Sequence, residues 1–457
     1  MKCRVINSQE VLLSKRFDGS YHNAEVNIYS SVIERHSSFK LKDYCTEIFT
    51  SGRNKRVYTT KEYGYPFLSN SDVVAAEPLS SCKYSSKKYG YDEKAVLRKG
   101  MILTGRVGAI GQTAFVPGFL EAKRAMGSDN IIRICVKPEK HNGFIYAYLA
   151  SRIGNLSFWK HATGGVQPFI TDAMVGELPI PDFPESFQKE VDDLIQESAR
   201  LREEATEALD KAKDILSKYI NVSFNKEHFK TSVVSSKDIW NSLQHRLDPP
   251  AIMNGGVYSM QDITSKMNYT TIANINGKVY RPRIFKRNYV SNGIPYIKGS
   301  EIFLTNPFRR CEQLSRTLTP FIDEMSMKEG QILITCAGSV GDIKLITKEY
   351  EDKKSIGSQD IIRLESNDVL YTKEYLFVYL QQPFVYDYIQ SMKYGSVIER
   401  IEPFHVESIP VIEPIKELSE EITSIVRHYM NCTYRAFNCE ENAISMVEQE
   451  IEKWNKN

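Results

Sequence analysis

The chain has 457 residues, 42% hydrophobic and 25% charged, with a net charge of +2. That is the balance of an ordinary soluble globular protein, long enough for two or three domains with real cores. No apolar run approaches the roughly 18–20 residues of a membrane span, and the start lacks an apolar signal core, so a cytoplasmic protein is expected.

Taken in order, the chain reads as a lead-in (1–36), a globular region (37–184), a long helix (185–220), a linker with a second lead-in (221–260), a second globular region (261–412) and a second long helix (413–457). The globular regions hold short β-type runs, MILTG and IIRICV in the first and QILIT and IIRLE in the second, bounded by Gly and Ser. Short helical pieces, FIYAYLAS and EYLFVYLQ, sit among them. These patterns predict mixed α/β heads.

Both helical segments carry a 4-3-4-3 apolar spacing. In the first it runs through Phe187, Val191, Leu194, Leu201, Ala205, Ala208, Ala212, Ile215 and Tyr219, interrupted at Ser198. In the second it runs through Leu418, Ile422, Ile425, Tyr429, Cys432, Ala436, Cys439, Ala443 and Met446. This is the spacing of a coiled-coil seam. Two such seams in one chain are expected to pack antiparallel as a spacer of about 50–60 Å, with pseudo-two-fold symmetry and a head at either end.

The whole unit is duplicated. Gly100, Gly108 and Gly111 recur 230 residues later as Gly330, Gly338 and Gly341, and GSDNIIR (from Gly127) recurs as GSQDIIR (from Gly357). RFD at Arg16 matches RLD at Arg246, and ITDAMVGELPIP from Ile170 matches IEPFHVESIPVI from Ile401. Charge is divided unevenly along the chain. Each helical segment carries −4, so the remainder carries +10. Basic heads suit a polyanion such as nucleic acid.

The eight cysteines show no zinc-type Cys/His spacing, and Cys432 and Cys439, on the helical seam, read as buried thiols. The G-x-x-G-x-x-G run at Gly105, Gly108 and Gly111 is not a phosphate-binding motif and reads as a turn needing positive φ. Arg106, inside it, faces Cys336 in the second copy and is read as a local salt-bridge former. His161 reads as structural. LDPP at Leu247–Pro250 lacks the aromatic that would stack on a flipped base, since Ala251 follows, and no metal-nuclease motif is present.

The ordered set of GMILTGRVGAIG, GSDNII, YAYLAS, TGGVQPFI and ELPIPDFP followed by a long helix, present twice, resembles the specificity (S) subunit of type I restriction–modification systems across essentially the whole chain. The resemblance implies two target recognition domains (37–184 and 261–412), each reading half of a split double-stranded DNA site, and helices that set the half-site spacing. It implies no catalytic centre, metal or cofactor in this chain. Two methyltransferase subunits, which use S-adenosylmethionine, are the implied partners, with restriction subunits where the complex also cleaves. The second copy departs from the pattern at TGGVQPFI, which becomes YGSVIERI, so Ile398 stands at the Gln167 position. Two other readings stay open: a self-contained methyltransferase or nuclease of a related class, and a two-headed protein scaffold.

DNA contact needs Arg and Lys for phosphates and base edges, and Asn, Gln or Ser for bases. Four sets, read as loops, offer them. The first head has Arg53, Asn54, Lys55 and Arg56, then Lys83, Tyr84, Ser85, Lys87 and Lys88. The second has Lys278, Arg281, Arg283, Lys286 and Arg287, then Arg309, Arg310, Gln313 and Arg316. These sets differ between heads while the framework repeats, as expected of two copies reading different half-sites.

Overall fold

The structure, a computed structural model, describes residues 5–19, 21–53, 55–164, 166–221, 235–241, 245–252 and 254–456. The chain divides into two units: Met1–Glu203 with Arg435–Asn457, and Glu204–Tyr434.

In the first unit the β-branched runs Ile102–Gly105 and Ile131–Val136 form the centre of a four-stranded antiparallel sheet, flanked by Thr113–Phe115 and Cys45–Thr50. A second sheet orders Tyr58–Thr59, Lys83–Ser86, Gly64–Leu68 and Met126–Gly127, the last pair parallel. Phe39–Lys40 pairs with Pro179–Ile180 and closes the head. The helix Asn142–Ala150 is buried nearly all round, as an apolar segment without a polar face must be.

The second unit repeats this plan, except that its second sheet has three strands, in the order Glu312–Leu314, Tyr289–Ile297 and Ile356–Gly357. Its four-stranded sheet orders Gly277–Tyr280, Ile361–Ser366, Ile332–Thr335 and Ile343–Leu345. Ile332 faces Leu364 as Ile102 faces Ile134, which is the sequence duplication written as strand register. The parallel pairing Tyr296–Ile356 reproduces Phe67–Met126, and Tyr269–Thr271 pairs with Pro410–Ile412. The mixed α/β expectation holds for both units.

Three polar devices recur with it. The Arg of each IIR run is fully buried and stitches strand ends together. Arg133 donates to Ile131 O (2.8 Å), Gly127 O (2.5 Å) and Ala95 O (3.1 Å). Arg363 donates to Ile361 O (2.9 Å), Gly357 O (3.1 Å) and Met325 O (3.1 Å). Desolvation pulls both guanidinium pKa values down to about 10, so both stay charged at neutral pH. Each R-x-D lead-in clamps the end of a helix: Arg16 pairs with Asp18 (2.5 Å) and donates to Ala162 O (2.6 Å), and Arg246 pairs with Asp248 and donates to Lys393 O. The Asp of LDPP is thereby a structural partner. Tyr148 and Tyr379 donate to Pro179 O (3.0 Å) and Pro410 O (2.7 Å).

The glycine run is a turn, as its spacing predicts. Gly108 and Gly111 have φ of 73° and 67°, and Gly338 and Gly341 have 78° and 89°. Gly105 is outside the left-handed region, which is why Thr335 can stand in its place. The turn is braced by a hairpin. Ile170 N donates to Arg106 O, and Ile401 N to Cys336 O, both at 3.0 Å. Thr163 pairs with Phe169 and Tyr394 with Arg400, so the hairpin survives the exchange of Gln167 for Ile398.

The long helices span Glu185–Ile220 and Lys416–Lys456. Within each unit their segments run antiparallel. In the second unit Glu204 meets His428 (2.9 Å) and Tyr219 donates to Glu413 O (3.3 Å), one helix rising as the other falls. In the first, Ser198 donates to Ala436 O (2.8 Å) while Phe183 stacks on Trp454. In the second helix Leu418, Ile422, Tyr429, Cys432, Ala436 and Ala443 of the predicted seam are buried, but in the first the buried line differs from it. It follows Val191, Ile195, Ser198, Leu201, Ala205, Leu209, Ala212, Leu216 and Ile220, while Phe187, Leu194, Ala208, Ile215 and Tyr219 are partly exposed. That spacing averages about 3.6, the straight-helix period rather than the 3.5 of a supercoil. The helices also bury a wider face than a seam. Val191, Ile195, Ala443, Ile444, Val447 and Ile451 belong to the first head's own core.

Candidate nucleic-acid interface

Of the first basic set of the first unit, Arg53, Lys55 and Arg56 lie outside any helix or strand, as expected, and so do Lys87 and Lys88, in the turn that follows a strand. Lys83–Ser86 is a strand paired with Gly64–Leu68 and Tyr58–Thr59, not the expected loop. Its surroundings interleave cations and rings. Lys83 Nζ lies 4.9 Å from the Tyr58 ring centre, Lys87 Nζ 5.5 Å from Tyr65, Lys88 Nζ 5.1 Å from Tyr89, and Arg56 Cζ 5.5 Å from Phe67. Lys55, Lys83, Lys87 and Lys88 are exposed and, among the described residues, without an ion pair. Their charge is therefore uncompensated at the surface, which is what phosphate contact requires.

The remaining residues of these sets are placed differently. Arg53 and Arg56 both pair with Asp129, at 3.2 and 2.6 Å. Burial works against the ionised form of Asp129, but the Arg56 hydrogen bond and the two guanidinium charges hold its pKa below the usual carboxylate value. Ser85 is 2% exposed and its hydroxyl donates to Gly90 O (2.9 Å). It is consumed by the fold and cannot offer its hydroxyl to a base. Tyr84 is half-buried and packs on the core around Leu68 and Leu97. Asn54 lies outside the described residues.

In the second unit Lys278 and Lys286 are exposed without an ion pair among the described residues, and Lys278 Nζ lies 4.4 Å from the Tyr280 ring. The arginines are tied inward. Arg281 binds Glu402 (3.1 Å), Asp360 (3.3 Å) and Gln359 O (2.8 Å). Arg287 donates to the Tyr296 hydroxyl and Gln359 Oε1, both at 2.8 Å. Arg283 pairs with Glu324 under the Phe321 ring. Gln313 accepts from Gly293 N (2.7 Å) and Arg316 donates to Gly293 O (3.0 Å), so this pair fixes a strand end. Arg309 and Arg310 sit at the end of the Pro307–Arg309 turn, Arg310 exposed.

Beside these residues the second unit has a cavity of about 520 Å³, lined among others by Arg287, Lys298, Gly299, Ala337, Asp342 and Asp360. Desolvation raises the Asp342 pKa. At the corresponding place in the first unit Asn70, at the Gly299 position, donates to the carbonyl of Val107, at the Ala337 position (3.3 Å). Sequence reasoning missed this cavity because its signal is the replacement of larger residues by smaller ones, Asn70 by Gly299 and Val107 by Ala337. Arg106 differs from its expected role too. Its side chain is half-exposed and has no ion pair among the described residues, so it stands open at the glycine turn. His161 is structural as expected, bonded to Ser157 O (2.9 Å), with burial pulling its pKa down. The hairpin tips expose Val166 and, in the second unit, Val397 and Ile398.

Residues 266–443 match the family described as type I restriction modification DNA specificity domain. No curated protein matches the chain in sequence. Among solved structures, the chain is similar to the type I restriction-modification system S subunit from M. genitalium, with 13% identity, a TM-score of 0.33 and coverage of 91% of this chain and 94% of that one. It is similar to the HsdS subunit from Thermoanaerobacter tengcongensis, with 14% identity, a TM-score of 0.27 and coverage of 90% and 95%. A chain from a study of complex assembly and conformational transition of the type I R-M system matches with 14% identity, a TM-score of 0.27 and coverage of 91% and 96%. No helix among the described residues is long and apolar enough to cross a membrane.

Proposed function

We propose, from the match of residues 266–443 to the type I restriction modification DNA specificity domain, that this chain is the non-catalytic DNA-recognition subunit of a restriction–modification complex. One observation carries the reading to the whole chain. The first unit repeats the four-stranded sheet of the second in strand order and register, down to the buried Arg133 and Arg363 on equivalent carbonyls. It is therefore read as a second copy of the same domain, and the site it serves as bipartite.

Recognition divides into two chemical tasks. Exposed lysines beside aromatic rings bind phosphates without reading sequence, and groups recessed beside the glycine turn reach base edges. An Asp342 carboxylate lining the cavity suits an exocyclic amino group of cytosine or adenine. The methyl group comes from S-adenosylmethionine on partner methyltransferase subunits; this chain holds no cofactor of its own. Restriction subunits join the complex where the system also cleaves.

Methylation sequencing of cells carrying this chain with its methyltransferase is expected to show a split motif with an unread interval. A continuous motif, or methyl transfer by the purified chain alone, would overturn the reading.

A further inference from the structure

The second unit contains a cluster that DNA recognition does not use. Glu204 on the first long helix meets His428 and Cys432 on the second, and one ligand atom from each lies within 4.8 Å of the other two. His428 and Cys432 are four apart, one above the other on the same helix face. His428 Nε2 is 2.9 Å from Glu204 Oε1 and 3.6 Å from Cys432 Sγ. We propose that Glu204, His428 and Cys432 form a binding site for one divalent transition metal of the zinc class, pinning the two long helices together.

The distances carry this. Bonds of about 2.3 Å to sulfur and about 2.0–2.1 Å to imidazole nitrogen subtend an S···N edge of about 3.5 Å at a tetrahedral angle. The 3.6 Å separation already matches it. The N···O pair needs to open from 2.9 Å to about 3.3 Å, within the reach of a glutamate rotamer. One sulfur, one nitrogen and one oxygen donor favour zinc over magnesium or calcium, which take oxygen shells. The site also has the usual makings of a bundle metal centre, with ligands converging from facing helices. Cys432 is 1% exposed and His428 is exposed, so the sulfur is shielded while the metal has a path in and a fourth position open to water. On binding, the Cys432 thiol transfers its proton to solvent and coordinates as thiolate. The bland alternative is a Glu204–His428 ion pair with the thiol as a weak neighbour.

The test uses the full chain, stripped of metal, and cobalt(II) as a spectroscopic probe with zinc as competitor. One equivalent of cobalt is expected to bind with a sulfur-to-metal charge-transfer band that zinc displaces. Cys432→Ser is expected to abolish the band, His428→Gln to weaken binding at least about tenfold, and Cys439→Ser to change neither. Glu204→Gln, at a half-buried position, keeps the band and weakens binding, and so decides the matter should Cys432→Ser fail to fold. Absence of stoichiometric binding, or a band that persists in Cys432→Ser or is untouched by both His428→Gln and Glu204→Gln, would overturn the site. No DNA is read in this experiment, so its outcome is independent of the recognition role.

Discussion

The two units share an interior and differ at the surface. Arg133 and Arg363 hold the same carbonyls, Tyr148 and Tyr379 the same proline, and the glycine turns keep the same left-handed positions. Their surfaces diverge. Both pair arginines with acids and both carry exposed lysines without an ion pair among the described residues, but the first unit gathers Lys83, Lys87 and Lys88 beside tyrosines and sets Asn70 against its glycine turn. The second ties its arginines to Asp360, Glu402 and Glu324 and leaves a cavity where Gly299 and Ala337 stand. Backbone-satisfying polar groups tolerate no change because their loss strands buried carbonyls. Surface groups answer only to what they bind, so the duplicated copies are free to diverge there.

The comparison can be broken most severely at its shared interior. Arg133→Ala and Arg363→Ala are each expected to cost more than about 3 kcal/mol in urea unfolding, because three carbonyls lose their donor at once. A loss in one unit only would mean that the buried arginines are not equivalent. Next in size is the lysine face. Replacing Lys83, Lys87 and Lys88 together with alanine should weaken duplex binding on any sequence and flatten the logarithmic salt dependence by about one for each phosphate no longer neutralised. An unchanged slope in a salt titration would remove this face from the interface. Gly108→Ala and Gly338→Ala should each cost about 1–2 kcal/mol, since both demand positive φ although neither has a neighbour within 4 Å to clash with. Smallest in stability but most telling in recognition is Gly299→Asn. Open space surrounds that position, so folding should shift by less than about 0.5 kcal/mol. Filling the cavity should alter the methylated sequence in one half-motif; an unaltered motif would show that the cavity reads nothing.

Much of the framework was legible in the sequence because it is written twice. Glycines repeated at fixed spacing marked the turns, and the uninterrupted charged stretch after Pro184 marked a helix that begins and ends where expected, at Glu185 and Ile220. The seam was legible only in part. A heptad and a straight helix diverge by about 20° per turn pair, so the buried side drifts from Ala208 to Leu209 and from Ile215 to Leu216. The same face also packs on the heads, which no pattern within the helix reveals. Cys432 is buried as expected, but Cys439 is only half-buried. Lys83–Ser86 resembled a loop because its composition is polar; pairing with Gly64–Leu68 makes it a strand. Candidate contacts were hardest, since Ser85 and Gln313 look available in sequence and are bound internally in the fold. Whether an arginine is free depends on an acid far along the chain, as Arg281 depends on Glu402.

The division of recognition between the units is tested most directly by exchanging residues 40–184 for the equivalent region of a chain with a different methylation motif, then mapping methylated bases genome-wide. Two units that read separately predict that one half-motif changes and the other stays as it was. A change in both halves, or in neither, would contradict it.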